Sequence, residues 1–199
     1  AIHPRLSNNI YTRDFYRICY DKLTEDGIIC QWIPQNWLNE EEYKSLLKAF
    51  IDVFPHSTLW YVNEYSTHIV GSKKPLEITY EKIARKYENP ILKADLTEVG
   101  LGDPEHFLAQ YILDEAALQN YCKDSRANTD NKPMVEFSRV VSIAPVVSVM
   151  EDLKDYPTDY EIFLQDVQSE QKKSEIREYL NRCTDFLRHN MQAVIENVN

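Results

Sequence analysis

The segment from Ile10 to Ile33, IYTRDFYRICYDKLTEDGIICQWI, most constrains how this chain can fold. It predicts an amphipathic helix, a turn at Gly27 and a strand over residues 28–33 that lacks alternating polar side chains. Strands of that kind are typical of parallel sheets covered by helices on both faces. A parallel strand needs a preceding partner joined by a crossover, and the residues ahead of the helix are too few to supply one. The segment therefore predicts an α/β fold that begins midway.

The start of the chain agrees with this interpretation. It begins Ala1-Ile2-His3-Pro4, without an initiator methionine or a signal-peptide pattern. We therefore expect the chain to be part of a longer protein. Its 199 residues, of which 43% are hydrophobic, suffice for a sizeable core and exclude wholesale disorder.

Charge and hydropathy exclude two classes of partner. The formal net charge is −10, so a phosphate backbone would be repelled and nucleic acid is not an expected partner. The longest apolar stretch, residues 140–150, is interrupted by two serines and a proline. It is shorter than the ~20 residues that a membrane-spanning helix needs. No membrane segment is predicted within this chain.

The four cysteines are far apart and form no CxxC pair. Cys19 falls on the apolar side of the first predicted helix and Cys30 within the first strand, where free cysteines behave as small buried hydrophobic residues. Free thiols are typical of a reducing compartment, so a cytoplasmic location is predicted. The five histidines show no metal-ligand spacing, and no metal site is predicted.

Capping signals and apolar spacing predict helix, strand, helix, strand, strand over residues 1–75. Asn39 followed by Glu42 has the capping-box pattern that begins a helix, and Pro55 ends that helix. Strands are expected over residues 58–62 and 68–71. The loop between them is short enough to make them antiparallel neighbours.

After this region the sequence predicts short helices and turns. We expect a helical and short-strand elaboration over residues 76–145 and a helical tail over residues 146–199. Residues 128–132 have turn chemistry, with a short extended piece expected at residues 134–138.

The tail contains two helix signals. Thr158 with Glu161 is a second capping-box pattern, which predicts a helix start. The last and longest helix is expected to carry an apolar stripe at helical spacing. Its members are Ile176, Leu180, Cys183, Leu187, Val194 and Val198.

Three segments carry a resemblance to a known family: IYTRDFYRICYDKLTEDGIICQW, NEEEYKSLLKAFIDVFPHSTLWYV and HIVGSKKP. With His3-Pro4 and NTDNKPMVEF, they resemble the C-terminal half of the spermidine synthase family, best its bacterial branch that is often fused to membrane-spanning segments. The resemblance covers about residues 3–138. It implies the C-terminal half of a Rossmann-like methyltransferase/spermidine synthase sheet, followed by a mainly helical extension. In that sheet the strand over residues 28–33 lies between an antiparallel final strand and the strand just upstream of His3.

Enzymes of that family transfer an aminopropyl group from decarboxylated S-adenosylmethionine to a polyamine. The attacking amine must be neutral, so an Asp accepts its proton, while acidic and aromatic groups hold the remaining cations. The resemblance places the nucleotide loop, the ribose-binding acid and the catalytic Asp upstream of this chain. With four glycines and no GxGxxG pattern, the chain itself is expected to hold no cofactor and no catalytic residue. Decarboxylated S-adenosylmethionine or S-adenosylmethionine is expected in the longer protein.

The resemblance assigns residues of this chain to one wall of the family's amine site. After the fifth strand the family has a Gln, an acidic residue and a Trp. Trp37 matches the Trp, and Gln31 matches the Gln if a one-residue gap is allowed. The acid is absent, with Pro34 or Gln35 near its place, which removes an anchor for a distal ammonium.

The candidate substrate-binding residues are Gln31, Trp32, Trp37, Tyr61 and Tyr65. Tyr61 falls near a family tyrosine that lines the amine pocket, and Tyr65 is the alternative alignment. Tryptophans at a strand end also pack in cores and rims, which is the competing interpretation. Their position at the carboxyl end of a parallel strand favours a ligand role, because open α/β sheets bind ligands there.

Three functions stay open on this evidence. In the first, the longer protein is an aminopropyltransferase and this chain alone is inactive. In the second, it is an S-adenosylmethionine-dependent methyltransferase-like protein without polyamine chemistry, which the missing acid favours. In the third, the chain is a non-catalytic module whose helical tail binds a partner. The open, uncharged edge of the strand over residues 28–33 further predicts self-association or a homodimer.

Overall fold

The computed structural model describes residues 7–137, 147–156 and 158–198. It combines helices with a four-stranded sheet, so the fold is mixed α/β, as predicted at that level. The expected parallel partner of the first strand is not among the described strands, because that strand pairs only with an antiparallel neighbour. The described residues form two compact units. Unit 1 draws on Ala1–Leu76, Ile112–Tyr156 and Met191–Asn199, and unit 2 on Glu77–Tyr111 and Pro157–Asn190.

The sheet has the strand order β1-β3-β2-β4. Its strands are β1 (Ile28–Pro34), β2 (His56–Asn63), β3 (Ser66–Ser72) and β4 (Tyr111–Leu113). β3 is antiparallel to both β1 and β2, so β1 and β2 run in the same direction on either side of it. The three predicted strands and the antiparallel pairing of the last two are confirmed. β4 was not predicted.

A tight connection joins β2 to β3. The Asn63 side chain accepts hydrogen bonds from the backbone nitrogen of Tyr65 at 2.9 Å and from the Ser66 hydroxyl at 3.1 Å. Asn and Asp commonly stabilise turns in this way. The β2–β3 register shifts between Tyr61 and Asn63, so the strand bends before the turn.

Helices lie before and after β1 in the chain. A 3₁₀ helix (Asn8–Tyr11) leads into α1 (Arg13–Lys22), and α2 (Glu40–Ile51) follows the strand. The predicted capping box is confirmed: the Asn39 side chain accepts from the Glu42 backbone nitrogen, and the Glu42 carboxylate accepts from the Asn39 backbone nitrogen.

The core of unit 1 lies between α2 and β3. The buried face of α2 presents Tyr43 and Phe50 towards the sheet, and the Tyr43 hydroxyl lies 2.7 Å from the Thr67 hydroxyl of β3. A Cβ atom at Gly71 would lie 2.5 Å from the Phe50 ring. The helix therefore approaches the strand at a distance that only glycine permits.

The expectation that β1 is covered on both faces is wrong for its first residues. Ile28 is 60% exposed and Cys30 is exposed, although Ile33 is fully buried. Cys19 is only half-buried. β1 is the outer strand of the sheet, and α2 covers one of its faces, so residues that point the other way remain in contact with solvent.

The remaining elements are mostly short helices. They are α3 (Tyr80–Lys86), α4 (Pro90–Glu98), α5 (Pro104–Leu108), α6 (Glu115–Tyr121), α7 (Val147–Asp155), a 3₁₀ helix (Glu161–Phe163) and α8 (Glu170–Val198). None of the described helices is long and apolar enough to cross a membrane.

Three local predictions in this region are wrong. No α-helix begins at Thr158, where only a 3₁₀ helix (Glu161–Phe163) follows, with Tyr160 at its N-cap and no side-chain cap. The long last helix was predicted separately and is α8. Residues 134–137 form turns rather than a strand, and residue 138 lies outside the described residues. Beyond Leu187 the buried stripe of α8 follows Met191 and Ile195, while Val194 is half-buried and Val198 exposed.

Candidate ligand site at the end of β1

The chain leaves β1 through a short loop, residues 35–38, before the α2 N-cap. The Gln35 backbone nitrogen donates to the Tyr65 carbonyl oxygen at 2.7 Å, which extends the β1–β3 ladder by one residue. Leu38 anchors the far end of the loop in the core. The loop is therefore fixed at both ends and lies beside the β2–β3 turn.

Gln35 has an unusual environment. Its side chain is fully buried, yet neither its amide oxygen nor its amide nitrogen has a hydrogen-bond partner among the described residues. The next side chain, Asn36, also has a buried amide oxygen without a partner there. Buried polar groups in folded proteins are nearly always hydrogen-bonded, because leaving one unpaired costs about 1–3 kcal/mol. Two such amides follow each other in this loop.

Trp37 adds backbone strain to the same loop. Its φ angle is 68°, in the left-handed region, and no other described residue except a glycine has a positive φ. For a residue with a Cβ atom this conformation costs on the order of 1–2 kcal/mol. Strained residues persist where the surrounding structure holds them, frequently at ligand sites. Trp37 is only half-buried, so part of its ring is accessible.

The Gln31 side chain has hydrogen-bond partners within the chain. Its amide nitrogen donates to the Trp32 carbonyl oxygen at 3.2 Å. It also hydrogen-bonds the buried hydroxyl of Tyr11, whose pKa is raised to about 12 by burial, with the Gln31 contact opposing that rise. The structure thus gives Gln31 internal partners, and its predicted contact with an amine stays a prediction.

Trp32 lies on the sheet face opposite Gln31, because successive side chains of a strand point to opposite faces. In the strand register it stands across from His68, which stands across from Trp60. Burial lowers the pKa of His68. The structure therefore does not bring Trp32 to the same face as Gln31, and the predicted ligand role of Trp32 stays a prediction.

The two tyrosine candidates differ in exposure. Tyr61 is buried on β2, and burial followed by the charge of Glu64 raises the pKa of its hydroxyl. Tyr65 is 45% exposed and belongs to the turn whose carbonyl receives the Gln35 nitrogen. The structure therefore brings Tyr65 directly beside the loop that contains Gln35 and Trp37.

Glu64 was missed by the sequence interpretation. The expected acidic residue is absent from the loop after β1, but Glu64 lies in the adjacent β2–β3 turn, between Asn63 and Tyr65. Its carboxylate is close enough to influence the pKa of Tyr61. A carboxylate from this turn is thus available near the strand end, and only the pairing of β1 with β3 shows it.

The NTDNKP segment is hydrogen-bonded to other parts of the chain. The buried Asn128 side chain donates to the Asn8 side chain at 2.9 Å and to the Tyr11 carbonyl at 3.1 Å, and accepts from the Met134 nitrogen at 2.9 Å. An isolated bridge between Thr129 and Lys132 closes the turn. Both N–H donors and the oxygen of this amide are used within the protein, so the segment stabilises the fold.

A separate cavity of about 740 Å³ lies at the N-terminus of α2, lined also by residues of α6 and α7. Within it the Lys44 ammonium lies 2.6 Å from Glu40, 3.2 Å from Asp152 and 4.4 Å from the centre of the Tyr121 ring. Burial disfavours the charge, but the hydrogen bonds to Glu40 and Asp152 outweigh it, so the pKa of Lys44 is raised. The carboxylates thus hold an ammonium of the chain itself and connect α2 to α7.

Three of the four glycines are packed against side chains of the chain itself. A phosphate or nucleotide cradle needs glycine backbone open to the ligand. At Gly27, Gly71 and Gly102 an added Cβ atom would instead lie 2.5 to 2.8 Å from side chains of the same chain. Gly100, the remaining glycine, supplies a left-handed turn at the end of α4. In the part of the chain that the structure describes, no cluster of three or more His, Cys, Asp or Glu side chains suits a metal ion.

No protein-family model and no curated protein matches this chain.

Proposed function

We propose that this chain supplies the amine-binding side of an aminopropyltransferase-type site, located where β1 ends. The observation that carries the proposal is the fully buried, unpartnered amide of Gln35, next to the strained Trp37. It stands near the position at which the spermidine synthase family has an acidic residue. Because the side chain is fully buried, a ligand ammonium would become the partner of the amide oxygen only when the loop moves on binding.

The sheet supports the proposed family relation. β1 lies beside β3, the last long strand, and is antiparallel to it. This is the neighbour that the resemblance implies for the strand over residues 28–33. A Rossmann-like arrangement of the longer protein is part of the proposal.

Each side chain at the strand end has a proposed role towards an alkyl diamine. The Gln35 oxygen accepts a hydrogen bond from one ammonium. The aromatic rings of Trp37 and Tyr65 face the cation, which aromatic rings attract. Glu64 supplies the negative charge that the loop after β1 lacks. The base that accepts the proton of the attacking amine is not among these residues, so the chain binds a substrate without transforming it.

Calorimetric titration with putrescine and spermidine tests this function. We expect saturable binding to the full chain and none for butane-1,4-diol, which has the length of putrescine but no charge. Gln35→Leu should weaken diamine binding at least tenfold, which corresponds to about 1.4 kcal/mol. It should leave the free energy of unfolding unchanged or raised, because a leucine there needs no hydrogen-bond partner.

Gln119→Leu is the matched control, since Gln119 is an exposed glutamine of α6. It should leave diamine binding unchanged. Equal binding of putrescine by the wild type and by Gln35→Leu would refute the proposed site. So would equal binding of the diamine and the diol.

A second candidate function is a non-catalytic, partner-binding module, and α4 favours it. None of the residues of this helix is buried, Ile91 at its start is 73% exposed, and Val99 just after it is 69% exposed. A nine-residue helix is marginally stable in isolation, and burial of an apolar face normally provides most of its stability. Failure of diamine binding, together with rapid amide exchange in α4, would favour this second function.

A further inference from the structure

The loop after β1 can move only within narrow limits. Pro34, the last residue of β1, has a φ angle that its ring fixes. At the other end Leu38 is buried, and Asn39 holds the start of α2 through the capping box, with hydrogen bonds to and from Glu42 of 2.8 and 2.9 Å. Any rearrangement of the loop therefore concerns residues 35–37.

Residues 35–37 have two features that oppose the position they occupy. The side-chain amide of Gln35 and the amide oxygen of Asn36 are buried without hydrogen-bond partners among the described residues. Water would supply those partners if the loop left this position. Trp37 has a φ of 68°, which a residue with a Cβ atom adopts only at a steric cost, and other loop conformations would remove that cost. Both features bring the free energy of a rearranged loop closer to that of the observed one.

A backbone hydrogen bond holds the loop on the sheet against these two features. The Gln35 nitrogen donates to the Tyr65 carbonyl oxygen at 2.7 Å. Water can replace such a bond at a small net cost, so its loss opposes a rearrangement only weakly. We propose that residues 35–37 are a gate, which exchanges between this closed position and a minor open one. In the open position the bond to Tyr65 is broken and the Gln35 amide contacts solvent.

The gate controls access to Gln35. The side chain is fully buried in the closed loop, so only the open loop can present its amide to a ligand. This step rests on the proposed function, in which an amine binds at this amide. The apparent affinity for the amine is then the intrinsic affinity reduced by the fraction of molecules whose gate is open. A substitution that closes the gate therefore weakens binding.

Amide exchange of the full chain without ligand measures the opening. The Gln35 N–H is the reporter, because it exchanges only after its hydrogen bond to Tyr65 breaks. The Ile33 N–H is the control within the same strand. Bonded positions alternate in an antiparallel pair, so Ile33 bonds to Thr67, and its side chain is fully buried. After correction for intrinsic rates, we expect Gln35 to exchange roughly a hundredfold faster than Ile33.

A strand end can also fray without any strain, and substitutions at Trp37 distinguish the two causes. Trp37→Ala keeps the strained φ, whereas Trp37→Gly removes the strain and so stabilises the closed loop. If the opening were fraying, the additional freedom of glycine would favour the open loop instead. The gate therefore predicts that Gln35 exchanges about fivefold more slowly in the glycine variant than in the alanine variant. Val62→Ala, at an exposed position of β2, should leave exchange at Gln35 unchanged.

Calorimetry with putrescine tests the link between the gate and binding. Both Trp37 variants lack the ring, so the same factor of about five should separate their dissociation constants, with the weaker binding in the glycine variant. Equal dissociation constants alongside different exchange rates would show that an amine binds without opening of the gate, and would overturn that step.

Either of two results without ligand overturns the gate itself. One is a Gln35 amide that exchanges as slowly as that of Ile33. The other is an exchange rate of Gln35 in the glycine variant that equals or exceeds its rate in the alanine variant. Absence of putrescine binding would refute the proposed function alone, because the exchange measurements decide the gate without a ligand.

Discussion

Gln35 and Trp37 are two residues apart, and each is in a state that folded chains usually avoid. One is a buried amide without a partner among the described residues, and the other is a bulky residue in the left-handed region. Either feature alone is found at irregular loops. Their coincidence at the end of a strand, beside an exposed tyrosine and a glutamate, makes this loop the best candidate for ligand contact.

Substitutions at Trp37 separate backbone strain from ligand contact. Trp37→Gly and Trp37→Ala remove the same ring, but glycine adopts a positive φ without steric cost. We expect the glycine variant to be more stable than the alanine variant by about 1 kcal/mol. Both should weaken putrescine binding at least tenfold. Urea unfolding and calorimetry on the two proteins measure the effects.

Val62→Ala is the control for these variants, because Val62 is an exposed residue of β2. It should change neither quantity. Unchanged amine binding in both Trp37 variants, with a large loss of stability, would identify Trp37 as a packing residue.

His68 provides a pH dependence of stability. Burial lowers the pKa of this histidine below its ordinary value of 6.5. The unfolded chain then binds a proton more readily than the folded chain, so stability is present above pH 6.5 and is lost as the pH falls through the folded pKa. His68→Gln should therefore lose less stability than the wild type on acidification. Urea unfolding at about pH 7.5 and about pH 5.5 measures the difference.

His189→Gln serves as the comparison, since His189 is an exposed residue of α8. It should show the acid dependence of the wild type. A wild type and a His68→Gln variant that weaken equally would mean that protonation of His68 is not coupled to folding.

Local chemical signals explain which residues could be anticipated. Asn39 and Glu42 cap each other within four residues of sequence, so their pattern predicts the α2 start without any tertiary contact. The proximity of Glu64 to the loop after β1 depends on strand pairing between distant segments, and no local pattern contains it. The environment of Gln35 is equally non-local, because its backbone nitrogen bonds to the carbonyl of Tyr65 in a distant segment.

At the scale of elements, long and strongly patterned segments were predicted well. The apolar stripe and the capping residues of α2 are visible in the sequence, and β1 to β3 are bounded by turn residues. β4 was missed because its three residues, Tyr111–Leu113, are too few to show a period. The predicted helix at Thr158 was wrong, although a capping pattern is present, since the chain forms only a 3₁₀ turn there.

The contact between α2 and β3 gives a prediction about Gly71. A Cβ atom at this position would lie 2.5 Å from the Phe50 ring and 2.9 Å from the Phe54 Cβ. Gly71→Ala should therefore lower the free energy of unfolding by about 1–3 kcal/mol, because the helix must move away from the sheet. Chemical denaturation measures the loss.

Gly100→Ala is the same substitution at a position where a different effect lowers the stability. Gly100 has a φ of 79° and nothing within 4 Å of an added Cβ, so only backbone strain opposes the change. We expect a loss of about 1 kcal/mol. If Gly71→Ala cost no more than Gly100→Ala, the close packing of α2 on β3 would be refuted.

At the scale of the molecule, two units are interleaved along the sequence. Unit 1 includes residues from three separate stretches, and unit 2 from two. Sequence patterns are linear, so they divide a chain into consecutive pieces and do not show that distant stretches join. The predicted division at residues 75 and 145 rests on a change in the secondary-structure pattern of the sequence, and it stays a prediction.

The packing of the glycines predicts that the chain does not bind S-adenosyl nucleotides. Three of its four glycines pack against side chains of the chain itself, so they cannot form a glycine-rich loop that approaches a nucleotide closely. Titration with S-adenosylmethionine and with its decarboxylated form should show no saturable binding at micromolar concentration. Putrescine binding by the same sample shows that the protein is folded. Saturable nucleotide binding would refute the prediction.

The division into two units has an optical consequence. All three tryptophans, Trp32, Trp37 and Trp60, belong to unit 1, whereas unit 2 contains tyrosine and phenylalanine but no tryptophan. Indole emission therefore reports the unfolding of unit 1, while circular dichroism in the far ultraviolet reports the helices of both units. Coincident curves would indicate one cooperative transition, and separated curves two. Selective excitation of indole thus follows one unit of the protein without a label.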